Sequence, residues 1–177
     1  EWAKSFLASI GKDKGKKLIA MPMTASSPNR TWIFYDELLK ILLGANKDLQ
    51  ILLLGNMGHA LPTIEKLKQF DEKIVLNAFG RTTLRQSFAL LNEADFVFTP
   101  DTGAVCICAA FNKPALVFYT TVPKATRISY FPTVKGIEAD VDCFPCYKLH
   151  TCEKLKCISA ITPYRVFSEL QDLIKGG

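Results

Sequence analysis

A chain of 177 residues, 22% charged and 49% hydrophobic, can bury a substantial core and reads as one domain or one compact half of something larger. No apolar run is long enough to span a bilayer as a helix, and no secretory signal is visible. A formal net charge of +5 suits anionic ligands or an anionic membrane surface and is too small to argue for nucleic-acid binding.

Residues 1–16 open on Glu1 and carry Lys12, Lys14 and Lys16, with Lys17 next. They are expected to be a solvated linker, the stub of a missing N-terminal domain, with the folded domain over 17–177. Residues 17–23 (KLIAMPM) predict a first strand, followed by a polar Ser/Pro loop over 24–29. Phe34, Leu38, Ile41 and Leu42 recur at a helical period, so a helix is predicted over 31–43, closed by Gly44. Residues 50–55 (QILLLG) form a continuous apolar strand, 61–70 a helix, and 73–79 (KIVLNAF) a third strand. Thr82 is placed as the N-cap of the next helix, whose one face carries Leu84, Phe88 and Leu91. A fourth strand is expected over 95–99, a helix over 103–111 and a fifth strand over 114–119. An irregular stretch then runs over 120–157. Thr162-Pro163 caps a closing helix with Val166, Leu170, Leu173 and Ile174 on its buried face. Short, continuously apolar strands alternating with helices imply a parallel sheet covered on both faces. The expected fold is α/β: a doubly wound, mostly parallel, Rossmann-like sheet.

The segment Phe96-Val-Phe-Thr-Pro-Asp-Thr-Gly-Ala104 delivers an acid, a hydroxyl and a glycine to the end of a buried strand. Ligands bind at that edge in open α/β sheets. Asp101 could accept hydrogen bonds from sugar or ribose hydroxyls, and Thr102 with the following amides could hold a phosphate at a helix N-terminus. Gly103 would admit a ligand close to the backbone. Helix capping by Asp101 is the alternative, and one residue could do both. Gly80-Arg-Thr-Thr-Leu84 is a second strand-to-helix junction, either a phosphate or nucleotide cradle or an ordinary capped turn. Arg30 beside Trp32 could neutralise a diphosphate or lie in solvent next to a core tryptophan. Cys143, Cys146, Cys152 and Cys157 are spaced C-x2-C-x5-C-x4-C, which admits a zinc site, disulfides or free thiols. Cys106 and Cys108 fall in an apolar helix and read as core. His59 and His150 belong to no nucleophile or metal pattern, and there is neither a G-x-G-x-x-G nor a Walker loop.

Taken in order, these segments resemble the C-terminal half of the heptosyltransferase family, glycosyltransferase family 9. The resemblance rests on Arg30-Thr-Trp32, Leu52-Leu-Leu-Gly55, Gly80-Arg-Thr-Thr-Leu84 and Ala94 through Gly103. It continues through Ala109-Ala-Phe-Asn-Lys-Pro114, Cys143-x2-Cys146, Ile161-Thr-Pro163 and Val166. It implies the GT-B architecture of two Rossmann-like domains, of which this one would bind a nucleotide-sugar donor, typically ADP-heptose. The other would bind a lipid-linked glycan such as lipopolysaccharide and carry the catalytic base. The enzyme would be cytoplasmic, at the inner face of the inner membrane, and would need no metal or cofactor. By the same resemblance Asp101, Thr102 and Gly103 would contact the donor. Thr82, Thr83 and Leu84 would line the nucleotide pocket, Arg30 would lie near the diphosphate, and Thr121 would also bind the substrate. The chain has Cys106 where the family has His and Tyr119 where it has Gly, and it lacks the acid often found within 55–59. A non-catalytic nucleotide- or carbohydrate-binding module is the alternative function.

Overall fold

The computed structural model describes residues 1–27, 30–56, 61–128, 130–148 and 152–176. Its elements in chain order are α1 (Trp2–Ser9), β1 (Lys17–Pro22), α2 (Tyr35–Ala45), β2 (Leu49–Leu54), α3 (Leu61–Leu67), β3 (Val75–Asn77) and α4 (Leu84–Glu93). They continue with β4 (Phe96–Pro100), α5 (Gly103–Ala110), β5 (Ala115–Tyr119), β6 (Val134–Glu138), α6 (Lys156–Ala160) and α7 (Pro163–Gly176). The strands form one six-stranded sheet in the order β3-β2-β1-β4-β5-β6. All five pairings are parallel.

Side-chain alternation sorts the strands onto two cores. In β1, Ile19 and Met21 face α2, α3 and α7, while Leu18 and Ala20 face α1, α4 and α5. In β5, Leu116 and Phe118 take the first side, and Ala115, Val117 and Tyr119 the second. Burial on both faces explains why the strands are apolar throughout instead of alternating. The first core centres on Trp32, which meets Tyr35 and Phe98 edge-on at ring-centroid distances of 5.1 and 5.4 Å. Its Nε1 donates to the Ile161 carbonyl at 2.8 Å, which ties the chain before α2 to the chain before α7.

Several expectations are corrected. The opening is not a linker: α1 packs on α4, and Ala3 and Leu7 are buried in the second core. Residues 11–13 are held as well, since the buried Gln50 side chain donates to the Gly11 carbonyl at 2.9 Å and accepts from the Asp13 amide at 2.8 Å. The helix predicted from residue 31 begins at Tyr35, because Trp32 is committed to the core before the helix starts. Thr83, not Thr82, caps α4. The edge strand β6 lay unseen in the irregular stretch, because Val-Lys-Gly-Ile-Glu buries only one face and includes a glycine. Cys108 is core, and burial pushes its thiol up to about 12, but Cys106 is exposed. His59 and His150 lie outside the described residues. No helix among the described residues is long and apolar enough to cross a membrane.

Candidate functional site

The strand order reverses between β1 and β4. From there β1 leads outward to β2 and β3, and β4 to β5 and β6. The connections leaving the two central strands diverge, and a crevice opens at their carboxyl ends. The crevice is a cleft of about 780 Å³, within the size range of small-molecule sites. Pro22 and Leu54 at the ends of β1 and β2 form its floor. Thr24, Ser26 and Arg30 enter from the loop after β1, and Gly55 and Asn56 from the loop after β2. One wall is the first two turns of α4, with Leu84, Ser87, Phe88 and Leu91. The other is the start of α5, with Thr102, Gly103 and Ala104.

Arg30 is the only charged side chain among the described lining residues. Its Nη1 donates to the Asp101 carbonyl at 2.9 Å and its Nη2 to Ser26 Oγ, so it bridges the β1 loop to the end of β4 across the switch point. Its Nε is buried and has no partner among the described residues. A buried guanidinium N–H left unpaired beside a cavity is costly unless an acceptor arrives there.

At the α5 terminus Thr102 is the N-cap, and its hydroxyl accepts from the Ala104 amide at 3.3 Å. A Cβ added at Gly103 would meet nothing within 4 Å, so packing does not require this glycine. Its bareness leaves the positive end of the helix open to the cleft. Gly55 has a structural reason: its φ is +144°, and a side chain there would collide with Thr24 and the Phe79 ring.

On α4 the apolar face of Leu84, Phe88 and Leu91 borders the cleft. Leu84 is 71% exposed, Phe88 is half-buried and Leu91 is buried. Thr82 lines the cleft, its hydroxyl 2.8 Å from Ser87 Oγ. Thr83 does not; its side chain accepts from the Gln86 amide, and Gln86 returns a bond to the Thr83 amide, a reciprocal capping box.

Asp101 stands behind the cleft lining. Its carboxylate lies 3.7 Å from Arg127 Nε. Burial pushes its carboxyl above the usual carboxylate range, and Arg127 and Arg30 pull against that shift. Tyr119 is fully buried near this carboxylate, its hydroxyl has no partner among the described residues, and burial raises its phenol further from ionisation. Arg127 was not singled out from the sequence, since nothing local marks it. It reaches Asp101 from the turn after Lys124–Thr126.

Thr121 is not in the cleft. With Thr120 it lines a separate cavity of about 260 Å³, shared with Cys143, Cys146, Cys152 and Cys157. All four cysteines are free thiols, and among the described residues no three potential ligands are grouped so as to hold a metal ion.

Against family models, residues 3–157 match glycosyltransferase family 9 (heptosyltransferase). The chain belongs to that family. Its fold superposes on E. coli ADP-heptose lps heptosyltransferase II with a TM-score of 0.78 at 22% identity, covering 99% of this chain and 52% of that one. A glycosyl transferase family 9 structure from Veillonella parvula gives 0.79 at 16% identity, covering 99% and 51%. The E. coli heptosyltransferase WaaC with ADP gives 0.68 at 17%, covering 97% and 48%. No curated protein sequence matches the chain significantly. The family 9 chain described here therefore spans about half the length of these structures and has the Rossmann-like fold of one half of a GT-B glycosyltransferase.

Proposed function

We propose that this chain is the C-terminal, donor-binding half of a glycosyltransferase that moves a heptose-like sugar from a nucleoside diphosphate to lipopolysaccharide or a related glycan. The observation that carries the reading is the charge pattern of the switch-point cleft. One guanidinium, Arg30, with a buried N–H that has no partner among the described residues, lines the same cleft as the bare helix N-terminus at Gly103, and no acid is among the cleft's described lining residues. That combination suits a diphosphate. The open apolar wall of Leu84 and Phe88 suits a flat base, with Thr82, Ser87 and Asn56 as polar partners. Asp101, behind Thr102, is offered to a sugar hydroxyl. Adenine is the preferred base, in line with family 9 structures solved with ADP or ADP-heptose.

In transfer chemistry the chain's contribution is electrostatic. As the sugar–phosphate bond breaks, negative charge grows on the departing diphosphate. Arg30 and the α5 amides are already aimed at it and need no reorganisation. The acceptor, a lipid-linked glycan, and its base belong to the other half of the architecture, which fits peripheral attachment to the inner face of the inner membrane.

Calorimetry with ADP, UDP and GDP tests the donor site. ADP should bind most tightly, and weakly, with no turnover by this chain alone. The absence of heat with all three would overturn the assignment. Tyr119 favours a second reading, a module that binds without catalysing, because its buried ring fills the strand end beside Asp101. That module would keep ADP affinity, and the full-length protein would transfer no sugar from ADP-heptose.

A further inference from the structure

Past the cleft, the carboxyl edge of the sheet carries groups that do not line it: Arg127 and Tyr119 beside Asp101, with Glu138 beyond. We propose that Arg127 is the positioning residue for the sugar end of the donor site: it holds one oxygen of the Asp101 carboxylate, presents the other to a sugar hydroxyl, and so makes the site prefer a nucleotide sugar to the bare nucleotide. The inference rests on the donor-site reading and adds to it a residue that acts through Asp101 without lining the cleft.

The fold builds a mount for Arg127. The short turn Lys124–Thr126 sits on the edge strand β6. The Lys124 amide donates to Glu138 Oε1 at 2.7 Å, and its Nζ donates to the Gly136 carbonyl at 3.4 Å. A Cβ at Gly136 would stand 2.9 Å from Ile128 Cδ1 and 3.1 Å from Lys124 Cβ, so a glycine is needed for the turn to lie this close to the strand. Glu138 is pinned in turn, because its carbonyl accepts from Arg165 Nη1 at 2.9 Å. The Arg127 and Ile128 amides both donate to the Lys124 carbonyl, at 2.9 and 3.0 Å, and Ile128 is buried in the second core. The backbone that carries Arg127 is therefore fixed, while its side chain is half-exposed and brings Nε to 3.7 Å from Asp101 Oδ2. A pair this open to water contributes little to stability. Stability alone gives no reason for such a mount, and the aiming of Asp101 does.

Asp101 is then held at both ends. Arg30 Nη1 donates to its carbonyl at 2.9 Å and fixes the main chain. The last torsion of an aspartate is broad and two-fold, so an unpaired carboxylate turns easily. A cation at Oδ2 selects one orientation and leaves Oδ1, which has no hydrogen-bond partner among the described residues, for a ligand.

Charge acts in the same direction. Burial pushes the Asp101 carboxyl up, and Arg127, then Arg30, pull it back toward the ionised form. An ionised carboxylate accepts charge-assisted bonds from hydroxyls, about twice as strong as neutral ones. From β5 the neutral, buried Tyr119 phenol bears on the same carboxylate, and Glu138 from β6 and Cys106 from α5 bear on Tyr119. With the two arginines, these are the charged and titratable groups around Asp101 among the described residues. Bare ADP has no sugar hydroxyl at that end, so its affinity should not depend on Arg127.

The test is calorimetry of this chain with ADP and with ADP-heptose. Arg127→Ala should weaken ADP-heptose roughly tenfold and leave ADP unchanged. Arg127→Lys, which keeps the charge, should recover part of the loss. In an Asp101→Asn background, removing Arg127 should have no further effect on either ligand. Independently of any nucleotide, the carboxyl carbon resonance of Asp101 should titrate at higher pH in Arg127→Ala than in the wild type, since a neighbouring cation favours the charged form. Equal losses for ADP and ADP-heptose, the same loss in the Asp101→Asn background, or an Asp101 titration that does not move would each overturn the proposal while ADP binding stands. A wild-type chain that binds neither nucleotide would overturn the donor-site reading, and this proposal with it.

Discussion

Asp101 and Arg30 play unequal parts. Arg30 reaches the cleft and keeps a buried Nε without an acceptor among the described residues; Asp101 is half-sheltered behind Thr102 and pairs with Arg127. Arg30→Ala should weaken ADP binding about ten- to a hundred-fold, the loss of one charge-assisted contact. The remaining affinity should depend less on salt, which calorimetry at two ionic strengths will read. Asp101→Asn has a stability signature as well. The folded state holds this carboxyl above its ordinary range, mainly by burial, so it favours the protonated form. Stability is lost as pH rises and the carboxyl ionises, and it is regained on acidification. The Asn variant carries no such cost. Its melting temperature should equal the wild type's in acid and exceed it at neutral pH, while its affinity for an ADP-sugar falls toward that for ADP. Equal melting curves at both pH values would refute this. Arg30 and Asp101 were both legible in the sequence as types at strand ends; Arg127 was not, because its carboxylate partner is 26 positions away.

At the scale of elements, the start of α4 separates capping from binding. The sequence presented Thr82-Thr83-Leu84 as one unit, and the structure divides it. Thr82 and Leu84 face the cleft, and Thr83 closes a capping box with Gln86. Thr83→Ala should therefore cost about 1 kcal/mol of stability, measured by urea unfolding, with ADP affinity little changed. The α2 approach is set by a different bond. Trp32→Phe keeps the aromatic contacts but strands the buried Ile161 carbonyl, which should cost about 1–3 kcal/mol. The apolar stripe of α4 serves both the core and the cleft. Leu84, Phe88 and Leu91 share a face, but only Leu91 is buried; the others wait on a ligand-sized space.

For the molecule as a whole, the doubly wound sheet makes the site by topology. Because the chain steps from β1 outward to β3 and returns through α4 to β4, loops distant in sequence meet at one edge. The amino-terminal helix is part of this body. Leu7→Ala should lower stability by about 2–5 kcal/mol, since Leu7 lies in the core beneath α4; a solvated linker would show no change in the same unfolding experiment. This packing also bears on the site, because α1 supports the helix that forms the cleft's apolar wall.

The strand-helix alternation, the parallel sheet and the acid-hydroxyl-glycine end of β4 were all readable from the residues, because burial on two faces writes continuous apolar runs and turns write polar breaks. Local pattern could not place α1 or β6, since a short amphipathic helix and a half-exposed edge strand look like polar connectors until their partners are known. Nor could it set Thr121 apart from the cleft, gather four cysteines around a second cavity, or leave Arg30 Nε buried without an acceptor among the described residues. Those features depend on which strand lies beside which. Strand order is decided by long-range packing, which no stretch of sequence contains.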